Sequence, residues 1–210
     1  MLLQKLCKRK DLTNWVDCYD FDIFGTITFN KRTVHRRIKK ALNDSQKIAL
    51  AQNCLKTGFR GVSSYNEVKR QIHYEAWHNF WHTLNEGYFG RNYKRHNLRI
   101  QTFNLIHMGN IKHSKHFGSE HIHLHFAALA PTKNTTSFIK RTEQIWNDTE
   151  FSGRSEFSVV YNKKDLCGYM THEFDRIGTD TIETSTTNTY ENIKHYEEIT
   201  NNYNRHFRSK

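Results

Sequence analysis

Residues 121 to 130 read His-Ile-His-Leu-His-Phe-Ala-Ala-Leu-Ala. Imidazoles and aliphatic side chains alternate and then give way to an unbroken apolar run, a period of two that a helix does not have. Successive side chains of a β-strand point to opposite sides of the sheet. His121, His123 and His125 then share one side, and Ile122, Leu124 and Phe126 offer the other to a core. The chain must therefore build a sheet around this segment, with an apolar layer behind it. A lone His on a strand is more often a surface or core residue, and 14 His in the chain make some clustering a matter of chance. Three at every second position are spaced to share a metal ion, and a metal role is the reading they favour.

The flanking sequence supplies the partners of that strand. Residues 21 to 29, Phe-Asp-Ile-Phe-Gly-Thr-Ile-Thr-Phe, are β-branched and aromatic and predict a first strand. Lys31, Arg32, His35, Arg36, Arg37, Lys39 and Lys40 follow, a run that suits a solvated helix face or contact with phosphate. Residues 44 to 57 predict a short helix. From Ser64 to about Glu86 the pattern is helical: Ile72, Ala76, Phe80 and Leu84 recur at every fourth position, widened by Trp77 and Trp81. Ser64 and Glu67 have the spacing of a capping box at its expected start. His73, His78 and His82 on this helix read as surface or structural residues, because the glutamate of a protease-type HExxH is missing.

A strand near Leu98 to Met108 is expected to pair antiparallel with the His strand, across a polar turn from Gly109 to Glu120. Thr136 to Asn147 predicts a helix, Glu156 to Tyr161 a short strand, and residues 164 to 176 a last helix. Aliphatic residues become scarce from Thr179 onward, so residues 1 to 178 are expected to form one domain and residues 179 to 210 a polar, flexible tail. This order predicts an α+β fold, one antiparallel sheet with a long helical insert and helices packed on one face.

Charge bears on the partner. Lys and Arg number 32 against 21 Asp and Glu, a formal charge of +11, which favours a polyanion such as nucleic acid. Cys7, Cys18, Cys54 and Cys167 form no CxxC pair and no zinc-finger spacing, as expected of free thiols in a reducing cytoplasm. No apolar run reaches the roughly 20 residues that a membrane span needs, and charge interrupts the first residues too soon for a secretory signal. A soluble, cytoplasmic protein is the expectation.

A second chemical element lies on the last helix. Asp165, Tyr169, His172, Glu173 and Arg176 fall on one helical face. A tyrosine is more often a half-buried packing residue, and the chain has ten. Set among an acid, an imidazole and a cation, and opposite a metal, its phenolate becomes a usable nucleophile. A divalent ion on the imidazoles can polarise a phosphodiester, and a basic, aromatic-rich surface can hold single-stranded nucleic acid.

Three motifs, in order, resemble those of the HUH endonuclease superfamily, specifically its single-tyrosine rolling-circle replication (Rep) initiators of phages, plasmids and single-stranded DNA viruses. Phe24-Gly25-Thr26-Ile27-Thr28-Phe29-Asn30 resembles the loose first-strand motif. His123-Leu124-His125, or His121-Ile122-His123 one step earlier, resembles the His-hydrophobe-His metal motif. Gly168-Tyr169-Met170-Thr171-His172-Glu173 resembles the tyrosine motif, in which the family usually has lysine three residues after the tyrosine. His172 stands there in this chain, and Lys163 or Lys164 could supply the missing cation. Tyr161-Asn162-Lys163-Lys164 is itself Tyr-x-x-Lys, so Tyr161 is a rival nucleophile, disfavoured because it ends a strand.

The resemblance covers roughly residues 20 to 176 and implies an RRM-like sheet core. It implies a metal on His123 and His125, with His121 as extra ligand unless His107 or a residue of the long helix replaces it. It further implies Mn2+ or Mg2+ as the ion, Tyr169 as nucleophile with His172 and Lys164 assisting, and a 5′-phosphotyrosyl intermediate. Origin DNA, as a single strand or hairpin, would be the substrate. With no GxxxxGK[ST] in the chain, unwinding would fall to a host helicase, with a host polymerase extending the 3′-end. A transposase or mobilisation relaxase of the same chemistry is one rival; a non-enzymatic nucleic-acid-binding protein with a structural metal is the other.

Overall fold

The computed structural model describes residues 9–43, 46, 63–107, 122–171 and 186–189. The helix expected over residues 44 to 57 and the turn from 109 to 120 lie outside the described residues, apart from Gln46. In chain order the elements are α1 (Arg9–Asp17), β1 (Ile23–Phe29), α2 (Lys31–Ala41), α3 (Ser63–Phe89), β2 (Thr102–His107), β3 (His123–Ala128), α4 (Thr135–Asn147), β4 (Ser152–Val159) and α5 (Lys163–Met170). The four strands form one antiparallel sheet in the order β2-β3-β1-β4. The protein is thus α+β, and β2 and β3 pair as expected, with His107 opposite His123 and Leu105 opposite His125.

The first side of the sheet carries the main core. Ile23, Ile27, Leu124, Phe126 and Ala128 meet α2, α3 and α4 through Val34, Ile38, Trp77, Phe80, Leu84, Phe138 and Trp146, all buried. Gly25 is required here by close approach. A Cβ at this position would stand 2.3 Å from the Phe126 ring and 2.8 Å from that of Phe157, which oppose it on the two neighbouring strands. α2 and α4 start on asparagine caps, Asn30 and Asn134, whose side chains accept from backbone N–H groups of the first turn.

Helices cover the second side as well, which corrects the expectation of a sheet with helices on one face. α1 and α5 pack there, joining Leu12, Val16, Leu166, Cys167 and Met170 to Phe103, Leu105 and Ala127 in a smaller core. The unbroken run after His125 is the reason: once alternation stops, both sides of β3 are apolar and both need cover. α1 had no counterpart among the expected elements, because its apolar stripe is only Leu12, Trp15 and Val16 in nine residues.

Thr186 to Thr189 fall in the stretch expected to be flexible, yet they lie along the outer edge of β2. Thr102 and Asn188 exchange two backbone hydrogen bonds of 2.8 Å, and Thr186 Oγ1 accepts from Trp77 Nε1 at 2.8 Å and from Asn104 Nδ2 at 3.1 Å.

Candidate metal and tyrosine site

The second side of the sheet is apolar at one end only. Toward the start of β3 it carries His123 and His125, and in register with them on β1 stand Thr28 and Thr26. The two imidazoles are edge to face, with ring centroids 4.8 Å apart. His125 is only 1% exposed. Its ring stacks on Phe24 at 5.5 Å, and its Nδ1 shares a 2.8 Å hydrogen bond with Thr26 Oγ1. With Nδ1 as donor, Nε2 carries the lone pair that a metal ion would use, and the threonine fixes the ring plane.

Tyr169 closes this arrangement from the helical layer. Its ring stands edge-on to His125 at 5.1 Å and to Phe24 at 5.4 Å, while 52% of the residue stays exposed. Two motifs 44 positions apart in the chain thus meet in space. Several contacts hold α5 where it must be. Asn162 caps its start, accepting from Lys164 N–H at 3.0 Å, and donates to Asp165 Oδ2 at 2.8 Å. Leu166, Cys167 and Met170 anchor its buried side. At its end, Arg9 of α1 donates from Nη2 to the Gly168 carbonyl at 2.8 Å and from Nε to Thr171 Oγ1 at 3.3 Å, and Thr13 and Thr171 hydroxyls lie 3.2 Å apart. A guanidinium at a helix C-terminus also complements the helix dipole.

Other expected site residues lie elsewhere. Lys164 is exposed in the first turn of α5, five positions ahead of Tyr169, which sets it about 7.5 Å back along the axis. Lys163 pairs with Asp20. Tyr161, the rival nucleophile, is 92% exposed beyond the end of β4. His121 and His172 lie outside the described residues. Cys167 is no competing nucleophile, since burial, reinforced by Asp17, pushes its thiol up to about 11. Of the helical histidines, His73 is buried against Phe29, with its Nδ1 2.7 Å from the Lys69 carbonyl oxygen, and His82 Nδ1 lies 2.9 Å from the Tyr93 hydroxyl.

His123 and His125 suit a divalent ion. Nitrogens each about 2 Å from one ion put ring centroids roughly 4–6 Å apart, and the pair falls within that span. Among the described residues no group of three or more such ligands converges, so the pair is the described part of any metal site. Phe24 and Thr26 belong to the first-strand motif, which gives them no individual role, and Arg9 and Thr13 belong to no motif. The alternation of residues 21 to 29 already places Phe24, Thr26 and Thr28 on one side; nothing local in the sequence points Arg9 at a helix that begins more than 150 residues later. Among the described residues no helix is long and apolar enough to cross a membrane. No family model, curated protein or solved structure matches the chain.

Proposed function

We propose that the protein is a metal-dependent single-strand DNA nickase that also rejoins strands, with Tyr169 as nucleophile, of the HUH replication-initiator kind. The observation that carries this reading is the Tyr169 ring lying edge-on to His125 at 5.1 Å, beside His123. A divalent ion on the two imidazoles, Mn2+ or Mg2+, would polarise a phosphodiester oxygen and neutralise charge as it develops. The chain's own groups do the rest. Thr26 orients His125, Phe24 and the α1–α5 contacts hold the tyrosine, and half of Tyr169 stays open to a substrate.

In the cleavage step the Tyr169 oxygen bonds to phosphorus as the bond from phosphorus to the 3′-oxygen breaks. The phenol gives its proton to water and the departing oxygen takes one up, leaving a 5′-phosphotyrosyl ester and a free 3′-hydroxyl. Attack by a second 3′-hydroxyl reverses the step and joins strands. The net charge of +11 suits such a substrate. Replication, transposition and mobilisation share this chemistry.

Tyr169→Phe is expected to keep single-strand binding within twofold and to lower adduct formation at least ~10³-fold, as loss of a nucleophile does. A covalent protein–DNA band persisting on denaturing gels of that variant overturns the assignment. The burial of His125 beneath Phe24 and Tyr169 favours a second reading, a non-enzymatic nucleic-acid-binding protein in which the imidazoles hold a structural metal. Absence of any metal-dependent nicking of a labelled single strand by the wild-type protein selects it.

A further inference from the structure

α2 belongs to neither the core nor the tyrosine site by its outer face, and that face is cationic from end to end. Its sequence, Lys-Arg-Thr-Val-His-Arg-Arg-Ile-Lys-Lys-Ala, contains no acid. Val34 and Ile38 are buried, so the apolar side seats the helix on the core. Lys31, Arg32, Arg36, Arg37, Lys39 and Lys40 are all exposed. Arg36 and Arg37 share Glu150, and Arg37 also stands over the Phe151 ring at 5.9 Å. Lys31, Arg32, Lys39 and Lys40 have no carboxylate partner among the described residues. Four like charges on three turns repel one another and destabilise the helix slightly, a cost that a polyanion would reverse.

The position of this face is informative. β1 ends at Phe29, Asn30 caps α2, and Thr28 pairs with His123. Lys31 is three residues past Thr28, and Thr28 lies about 5 Å from His123 across the ladder, so the stripe begins on the first side of the sheet, within about 15 Å of the imidazole row. It then runs for roughly 16 Å, a length over which duplex DNA presents about ten phosphate charges. No Tyr, Trp or Phe lies in the helix, whereas proteins that hold single strands interleave cations with aromatic stacking platforms. Where lysine and arginine contact phosphate oxygens, the contact holds the duplex and carries no sequence information.

We propose that α2 is a sequence-independent docking surface for duplex DNA, the double-stranded flank of the strand that enters the tyrosine site. The proposal rests on the nickase reading for its substrate, and its test separates the two. The full-length chain carrying Lys31→Gln, Arg32→Gln, Lys39→Gln and Lys40→Gln is compared with wild type on two labelled probes, a hairpin with a single-stranded tail and the tail alone, across a salt titration. The hairpin affinity is expected to fall about 100-fold at low salt, and the slope of log affinity against log salt to flatten by about 3. Affinity for the tail, and its nicking, should stay within twofold.

An unchanged hairpin slope overturns the proposal. So does an equal loss on both probes, which would make α2 a single-strand groove. Selective loss of hairpin affinity, with no adduct formed by wild type on either probe, leaves the surface standing and removes the nickase reading. An adduct with an unchanged hairpin slope does the reverse. Lys39→Gln with Lys40→Gln, farthest from the site, should give about half the change in slope, and it serves if the fourfold variant melts early.

Discussion

The two sides of the sheet are built from the same four strands, and they have opposite designs. On the first, every inward residue of β1 and β3 is apolar or glycine, and three helices seal it. On the second, Phe103, Leu105 and Ala127 are sealed by α1 and α5, but His123, His125, Thr26 and Thr28 continue the same rows as polar groups. Alternation within a single strand therefore separates two tasks. Leu124 and Phe126 secure the fold while His123 and His125, one residue away, are released for chemistry. The sealed half of the second side sets the height at which α5 lies, and so brings Tyr169 down onto the imidazoles.

The largest effect expected from breaking this division is on the sealed side. Phe126 is fully buried and its ring meets Trp77, Phe80, Trp81 and Phe157. Phe126→Ala should cost about 3–5 kcal/mol of stability, through lost burial and the cavity left behind. Urea unfolding measures it. A cost below about 1 kcal/mol would mean that this side is not the structural one.

His73 gives the sealed side a pH signature. Burial lowers its pKa to about 4 from 6.5, outweighing the hydrogen bond to Lys69. Between those values the unfolded chain binds a proton that the folded protein refuses, so stability falls as pH drops from about 6.5 toward 4 and is fully present above that window. The full drop is about 3 kcal/mol. His73→Gln should flatten that limb of a stability-against-pH curve; an unchanged limb would move its origin to other groups.

The polar half responds differently. Thr26→Val keeps the strand and removes the hydroxyl that orients His125. Mn2+ affinity, read by titration calorimetry, should weaken roughly 10- to 100-fold, while thermal stability changes little. Thr26→Ser should restore it. Equal metal affinity in all three proteins would show that the hydrogen bond serves packing alone.

Much of this contrast was legible in the sequence. The period-two run from His121 fixed which residues of β3 face the core, and the four-residue period of Ile72, Ala76, Phe80 and Leu84 marked α3. The meeting of Tyr169 with His125 was readable only through a resemblance, because it depends on which side of the sheet α5 takes, and that follows from β2, β3 and α1 together. The clamp of Arg9 on Gly168 was not readable at all. It joins two short helices across most of the chain, and nothing about either helix alone requires the other.

Gly168 sharpens the contrast with Gly25 in the smallest of these effects. A Cβ at Gly25 would collide with Phe126, whereas a Cβ at Gly168, next to Tyr169, meets nothing within 4 Å. Glycine inside a helix costs about 0.5–1 kcal/mol relative to alanine. Gly168→Ala should therefore stabilise the protein by that amount and raise Tm by about 1–4 °C in differential scanning calorimetry. Gly168 is half-buried and its carbonyl accepts from Arg9, but no neighbouring atom stands where a Cβ would, so packing does not require glycine here. If the open face is where a DNA strand approaches the helix backbone, the same substitution should lower single-strand affinity several-fold while Tm rises. A variant that is more stable and binds DNA unchanged would place the strand on the far side of Tyr169.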